Sequence, residues 1–125
     1  MKTLDDCSPE EALRFIQLYF ATVDVLNEAL EKYKRLATES TTTSSRSEYR
    51  ALALEAERDL ELLKNQRRAF LDGNKGIDPP SQATVDATKA LAARLAKIIA
   101  KDAKADAIIA IARQGLEAFN KVTEA

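Results

Sequence analysis

The amino-acid sequence predicts an all-α protein, most simply an antiparallel three-helix bundle with a long C-terminal helix. The composition is the first observation: 46% of the 125 residues are hydrophobic, 31% are charged, and only three Gly and three Pro interrupt the chain. The second is periodicity, since apolar residues recur three and four positions apart over three long segments. We therefore expect one helical domain spanning residues 1–125, which is long enough to bury a core.

The first helix is predicted over about residues 9–38. Ser8 stands at the N-cap position, Pro9 at the first helical position and Glu11 at the third, which is the capping-box pattern. The main apolar stripe of this helix consists of Ile16, Tyr19 with Phe20, Val23, Leu26, Leu30, Tyr33 and Ala37. The segment 39–46 is rich in Ser and Thr and has no apolar residue to bury, so we expect a flexible linker there.

The second helix is predicted over about residues 47–72. Ser45 and Glu48 have the spacing of another capping box. The apolar stripe comprises Tyr49, Leu52 with Ala53, Ala56, Leu60, Leu63 and Phe70 with Leu71. Acidic residues are frequent in the first half and basic residues near the end, as the helix dipole favours. The helix should end before Gly73, and a connector containing Pro79 and Pro80 leads to the third helix.

The third helix is predicted over about residues 81–122, where Gly115 is the one Gly or Pro. At 1.5 Å per residue it would be roughly 60 Å long, which exceeds the length of either preceding helix. Its apolar stripe has a coiled-coil-like spacing, and the end of that stripe would extend beyond the first two helices. The polar stretch within 101–106 leaves an alternative open, a four-helix bundle with a turn near 101–106.

An antiparallel register between the second and third helices predicts two charge pairs. If the connector forms the turn between two antiparallel helices, residues that face each other on the second and third helices have numbers that add up to about 152. Asp102 then lies opposite Arg50, and Asp106 lies opposite Arg46. The two arginines are four residues apart, and so are the two aspartates, so the two pairs would lie one turn apart on the same faces of their helices.

The residue inventory argues against an enzyme. The chain has no His, which removes the commonest general base and nitrogen metal ligand. The single Cys7 rules out a thiolate zinc site and an internal disulfide, and fits a reducing compartment. The segment starting at Asp72 resembles a calcium loop, but Ile77 and Ala83 replace the Gly and Glu such a loop needs. We expect no catalytic residues, no cofactor, no metal and no small-molecule substrate.

Excess apolar surface instead favours a protein–protein interaction module. The first helix carries a second apolar stripe beside its main one, and the C-terminal segment has a similarly broad apolar face. Both faces are wider than a helix at the surface of a bundle needs. The predicted partner interface consists of Phe15, Leu18, Val25, Ile108, Ile111, Leu116 and Phe119. A symmetric homodimer is the simplest use of that surface. The alternative is that the first helix is central and the end of the third folds back over it.

Analogy of fold, net charge and hydropathy indicate which classes of partner to expect. Small bacterial adaptor, inhibitor, immunity and secretion-chaperone proteins offer an analogy at the level of fold. A dimeric nucleic-acid-associated regulator is the alternative, and it would use the basic cluster Lys64, Arg67 and Arg68. A net charge of −1 gives no general attraction to nucleic acid, so we expect that alternative less. No stretch is apolar and long enough for a membrane span, and we expect a cytoplasmic protein.

Overall fold

The computed structural model describes residues 1–98 and 105–124, and these residues form a helical bundle. A short 3₁₀ helix at Leu4–Asp6 precedes four α-helices. Their bounds are α1 Pro9–Glu39, α2 Thr43–Leu71, α3 Gln82–Lys97 and α4 Ala105–Glu124. The β-structure found in the described residues is one isolated bridge, between Lys2 and Ile77. The predicted all-α bundle is therefore confirmed.

The single long C-terminal helix is corrected to two helices, as in the four-helix alternative. α3 ends at Lys97, and Ile98 has extended backbone while its N–H donates to the carbonyl of Leu95 at 3.1 Å. α4 begins at Ala105 and packs against both α1 and α3. The turn predicted near 101–106 falls largely on residues 99–104, which lie outside the described residues. Folding back is favourable because it buries the apolar face that a continuous helix would leave bare.

α1 is the central helix of the bundle, with α2, α3 and α4 all packed against it. The Nε of Arg14 donates to the carbonyl of Pro80 at 2.8 Å, so α3 starts beside the start of α1. The N–H of Asp78 donates to the carbonyl of Val122 at 2.8 Å, so α4 ends there. The four helices therefore alternate in direction along the chain, in the up-down-up-down order.

The capping box predicted for the first helix is present. The hydroxyl of Ser8 accepts the N–H of Glu11 at 3.1 Å, and the Glu11 carboxylate accepts the N–H of Ser8 at 2.9 Å. The ammonium of Lys2 pairs with the same carboxylate at 3.0 Å. The hydrogen bond from the Ser8 N–H, and then the interaction with Lys2, hold the pKa of Glu11 below its ordinary value and so favour the charged carboxylate.

The predicted linker 39–46 is shorter than expected, because α2 begins at Thr43. Thr42 is the N-cap, and its hydroxyl accepts the N–H of Ser45 at 3.2 Å. A Thr cap at this position supplies the acceptor that the first turn needs, so the Ser-rich stretch enters the helix. Short polar residues thus mark a helix start here, where the composition suggested a loop.

The predicted charge pairs between the second and third helices do not describe the bundle. α2 packs chiefly on α1, because α1 occupies the centre. Arg46 donates to the carbonyl of Ser40 at 3.4 Å, and no ion pair joins it to Asp106 among the described residues. The other predicted pair involves Asp102, which lies outside the described residues.

Two apolar clusters fill the bundle along α1. One cluster lies along the first half of α1 and is called the lower cluster. It centres on Phe15, whose ring centroid lies 4.7 Å from that of Phe70 and 5.7 Å from that of Phe119. The other cluster lies along the second half of α1 and is called the upper cluster; its buried members are Val25, Ala29, Tyr33, Leu36, Ala53, Ala56, Leu95, Ile108 and Ile111. At Gly115 a Cβ atom would lie 3.1 Å from Cγ1 of Val25, so α4 approaches α1 closely between the two clusters.

Candidate functional surface

The residues predicted to form a partner interface lie inside this single chain. Phe15, Leu18, Val25, Ile108, Ile111 and Phe119 are buried, and Leu116 is half-buried. This corrects the assumption behind the predicted interface, that these side chains are bare in one copy of the chain. The physical reason is the return of α4 onto α1, which is the fold-back alternative stated above. A partner of the folded chain must meet other residues.

The apolar side chains left at the surface are concentrated on α1 and α2. The large exposed ones are Met1, Leu13, Phe20, Leu54, Leu62 and Leu71. Phe20 keeps 52% of its surface accessible, whereas its neighbour Tyr19 is buried. The two rings meet edge to face with centroids 5.2 Å apart. Sequence periodicity grouped Tyr19 with Phe20 in one stripe, but the bundle buries one and exposes the other.

Phe20 belongs to a continuous exposed face of α1. Leu13 precedes it by seven residues, close to two helical turns, so both side chains leave the helix on one side. Thr38 follows Phe20 by about five complete turns and points the same way. We call this surface, with the adjoining residues of α2, the outer face of the α1–α2 hairpin. The opposite face carries α4, so the hairpin is covered on one side.

A groove crosses the upper end of the outer face, between the second half of α1 and the first half of α2. Its volume is about 740 Å³. The residues that line it are Lys34, Ala37, Thr38, Arg46, Arg50, Ala53, Leu54 and Glu57. Leu54 is 63% exposed at its edge. Lys34 and Glu57 form an ion pair at 3.6 Å, and both side chains stay largely solvated.

The basic cluster near the end of α2 is partly used within the fold. The Arg67 guanidinium lies over the Tyr19 ring, 4.8 Å from its centroid, in cation–π geometry. Lys64 and Arg68 are exposed. The cluster predicted as a nucleic-acid patch thus presents two solvent-facing cations, and its third member helps to pack α2 on α1.

A second groove, between α3 and α4, has a volume of about 670 Å³. Small side chains such as Ala87, Thr88 and Ala118 form much of its wall. Its charged lining residues are of both signs, with two cations, Arg94 and Lys121, and two anions, Asp78 and Glu117. This groove therefore has no dominant charge with which to select a partner.

A small cleft lies between α1, α2 and α4, and its polar lining residues are Tyr33, Glu55, Asp59 and Arg113. It measures about 60 Å³, which is room for a few water molecules and far less than the roughly 300 Å³ of a typical ligand pocket. Burial raises the pKa of Tyr33 to about 12, with Glu55 adding to the rise and Arg113 opposing it. Burial and then Glu55 also raise the pKa of Asp59. The apolar periodicity of the sequence did not indicate this cleft.

The raised pKa of Asp59 makes a testable contribution to stability. Since the folded state holds the proton more tightly than the unfolded chain, the charged carboxylate destabilises the fold once the pH exceeds the unfolded pKa. Asp59→Asn should therefore raise the free energy of unfolding at neutral pH, and the gain should shrink as the pH falls towards the unfolded pKa. Urea titrations at neutral and acidic pH measure both effects, with Glu61→Gln on the exposed side of the same helix as the control.

Neither a metal centre nor a membrane span emerges from the described ranges. No group of three or more acidic or Cys side chains is placed to hold a metal ion within residues 1–98 and 105–124. Likewise, none of the helices over those ranges combines the length and the apolarity needed to cross a bilayer. Comparisons with protein-family models, curated proteins and solved structures find no match to this chain. The function must therefore be inferred from the surface itself.

Proposed function

We propose that the chain is a non-enzymatic protein–protein interaction module that binds its partner through the outer face of the α1–α2 hairpin. The observation that carries the proposal is the exposure of Phe20. About half of the surface of this side chain is accessible to solvent, although its neighbour Tyr19 is buried in the core. Leu13 lies on the same side of α1, and Leu54 edges the groove further along. A large aromatic side chain with apolar neighbours is the usual centre of a binding hot spot.

The small cleft and the residue inventory support a binding role over catalysis. A cleft of about 60 Å³ leaves no room for a substrate beside Asp59 and Glu55. A chain without His has few ways to place a base near neutral pH. We place the protein in the cytoplasm because its one Cys suits a reducing compartment.

A foreign protein is the proposed partner ahead of a second copy. The predicted homodimer depended on side chains such as Ile108 and Phe119, which are buried within one chain. Nucleic acid ranks lower still, because Arg67 stacks on Tyr19 and leaves Lys64 and Arg68 as an isolated pair of cations. Phosphate-driven binding normally requires a longer positive stripe.

Site-specific photo-crosslinking tests this proposal. The chain, carrying benzoylphenylalanine in place of Phe20, is irradiated in the cells that produce it, and adducts are compared with those from the same probe at Lys89. Lys89 is exposed on α3, away from the hairpin. We expect a discrete adduct at position 20 and none at position 89. An adduct of twice the chain mass would identify a second copy, and equal labelling at both positions would contradict the proposal.

A further inference from the structure

We infer that the groove at the upper end of the outer face binds an acidic amphipathic helix of the partner protein. The inference rests on the proposed function and names the chemistry of its partner. Three cations line the groove, Lys34, Arg46 and Arg50, against one anion, Glu57. The groove is therefore positive overall, in a chain whose net charge is −1. A local field of this kind selects and orients a partner of complementary charge.

Two of these cations lie near the start of α2. Because α2 begins at Thr43, Arg46 lies at the fourth helical position, close to the positive end of the helix dipole, and Arg50 lies about one turn further along. The first turn of α2 contains no acidic residue. Arg46 makes one hydrogen bond, to the Ser40 carbonyl beyond the end of α1. Arg50 has no hydrogen bond or ion pair among the described side chains, and is exposed. An exposed guanidinium at this position can pair with a carboxylate of a partner.

The floor of the groove supplies the apolar half of the recognition. Ala37 and Ala53 are small and form a shallow base, while Leu54 rises beside it with 63% of its surface exposed. Arg46, Arg50 and Leu54 are spaced by four residues and form one row along α2. An occupant therefore needs an apolar stripe for Leu54 and the alanines, with carboxylates beside it for the arginines.

The shape of the site favours a helix over an extended peptide or a strand. The groove lies between two antiparallel helices, and its described walls belong to α1 and α2 alone. α4 already packs on α1, and with α1 and α2 it lines a cleft on the other side of the hairpin. A helix laid in the groove could pack between α1 and α2 by the general ridges-into-grooves rule for helices. The described sheet content is one isolated bridge far along the chain from the groove, so no edge strand is offered there.

Selection from a random peptide library displayed on phage, with the full chain as the target, tests this inference without assuming a sequence. We expect the selected peptides to be rich in Asp and Glu, with apolar residues three and four positions apart. Their affinities, measured by fluorescence anisotropy, should fall about tenfold or more for Arg50→Glu and for Leu54→Asp. The matched variants Arg68→Glu and Leu62→Asp place the same changes on exposed positions of α2 outside the groove, and should leave affinity unchanged.

Three results would overturn the inference: no peptide binds, the selected peptides show no acidic bias, or the matched variants weaken binding as much as the groove variants. A single-stranded oligonucleotide is tested in parallel between about 50 and about 200 mM salt. If it bound more tightly than the peptides and Arg50→Glu abolished its binding, the groove would be a phosphate site instead. Arg50→Glu should leave the thermal midpoint of unfolding nearly unchanged, because Arg50 is exposed on α2.

The two proposals fail in different ways. If position 20 crosslinks to a protein but Arg50→Glu and Leu54→Asp change nothing, the outer face binds a partner and the acidic-helix inference is wrong. If position 20 labels nothing beyond the Lys89 control, the proposed function fails whatever the groove variants do.

Discussion

Replacing Ile108 and Ile111 together by Glu is expected to unfold the domain. Ile108 is fully buried and Ile111 is 5% exposed, both in the upper cluster against α1. Each substitution forfeits about 1.5–3 kcal/mol of apolar burial, and a carboxylate without a partner in the core costs more. The sum is comparable with the roughly 5–15 kcal/mol that holds a whole domain together. Far-UV circular dichroism should therefore show loss of most of the helical signal.

The matched control is Ala107→Glu with Ala110→Glu. These two positions have the same spacing on α4 but are exposed, so the variant should keep the helix content of the parent chain. If the Ile108 and Ile111 variant stayed folded and changed only from dimer to monomer in light scattering, those side chains would belong to an interface between chains. That result would restore the interface predicted from sequence.

Phe15→Ala is expected to produce the largest loss of stability for a single truncation. Phe15 is fully buried and its ring contacts the rings of Phe70 and Phe119, which come from α2 and α4. Truncation removes the side chain that joins three helices and leaves a cavity, at a cost of about 3–5 kcal/mol. Chemical denaturation with an unchanged slope and a lower midpoint would measure that cost.

Phe20→Ala is the natural comparison, because it makes the same truncation on the same helix at a half-exposed site. Its cost should be below about 1.5 kcal/mol, since much of its area is already in water. Equal losses from the two substitutions would mean that Phe20 is buried in solution, by self-association or by a different packing. The outer face would then be unavailable to a foreign partner.

The helical class followed from local signals that act over a few residues. The Ser8 cap with Glu11 is one such signal, and it forms as its spacing predicts. The start of α2 was misplaced because a run of Ser and Thr fits either a loop or a capped first turn. Only the position of Thr42 relative to the end of α1 decides between them.

The break between α3 and α4 was harder to predict, because Lys97 and its neighbours are good helix formers with no Gly or Pro nearby. Burial of the α4 face against α1 outweighs the local preference for a continuous helix. The same packing explains why most of the residues predicted for an interface are buried within one chain. The number of helices packed around α1 decides which of its apolar residues are buried. Phe15 is buried by them, and Phe20 stays exposed.

The fold and the proposed binding surface both require α4 to pack on α1 of its own chain. An engineered disulfide measures that packing directly. A Cβ atom at Gly115 would lie 3.4 Å from Cβ of Val25, near the roughly 3.5 Å lower end of the range for disulfides. The test chain carries Val25→Cys and Gly115→Cys, with Cys7→Ser to remove the native thiol. A control pairs Val25→Cys with Ala110→Cys on the exposed side of α4.

Oxidation followed by non-reducing gel electrophoresis and thiol counting gives the answer. We expect a crosslinked monomer for the Val25 and Gly115 pair, with both thiols consumed, and free thiols for the control. A covalent dimer would show that α4 packs on another copy of the chain, and free thiols in both variants would show that α4 does not pack on α1 at all.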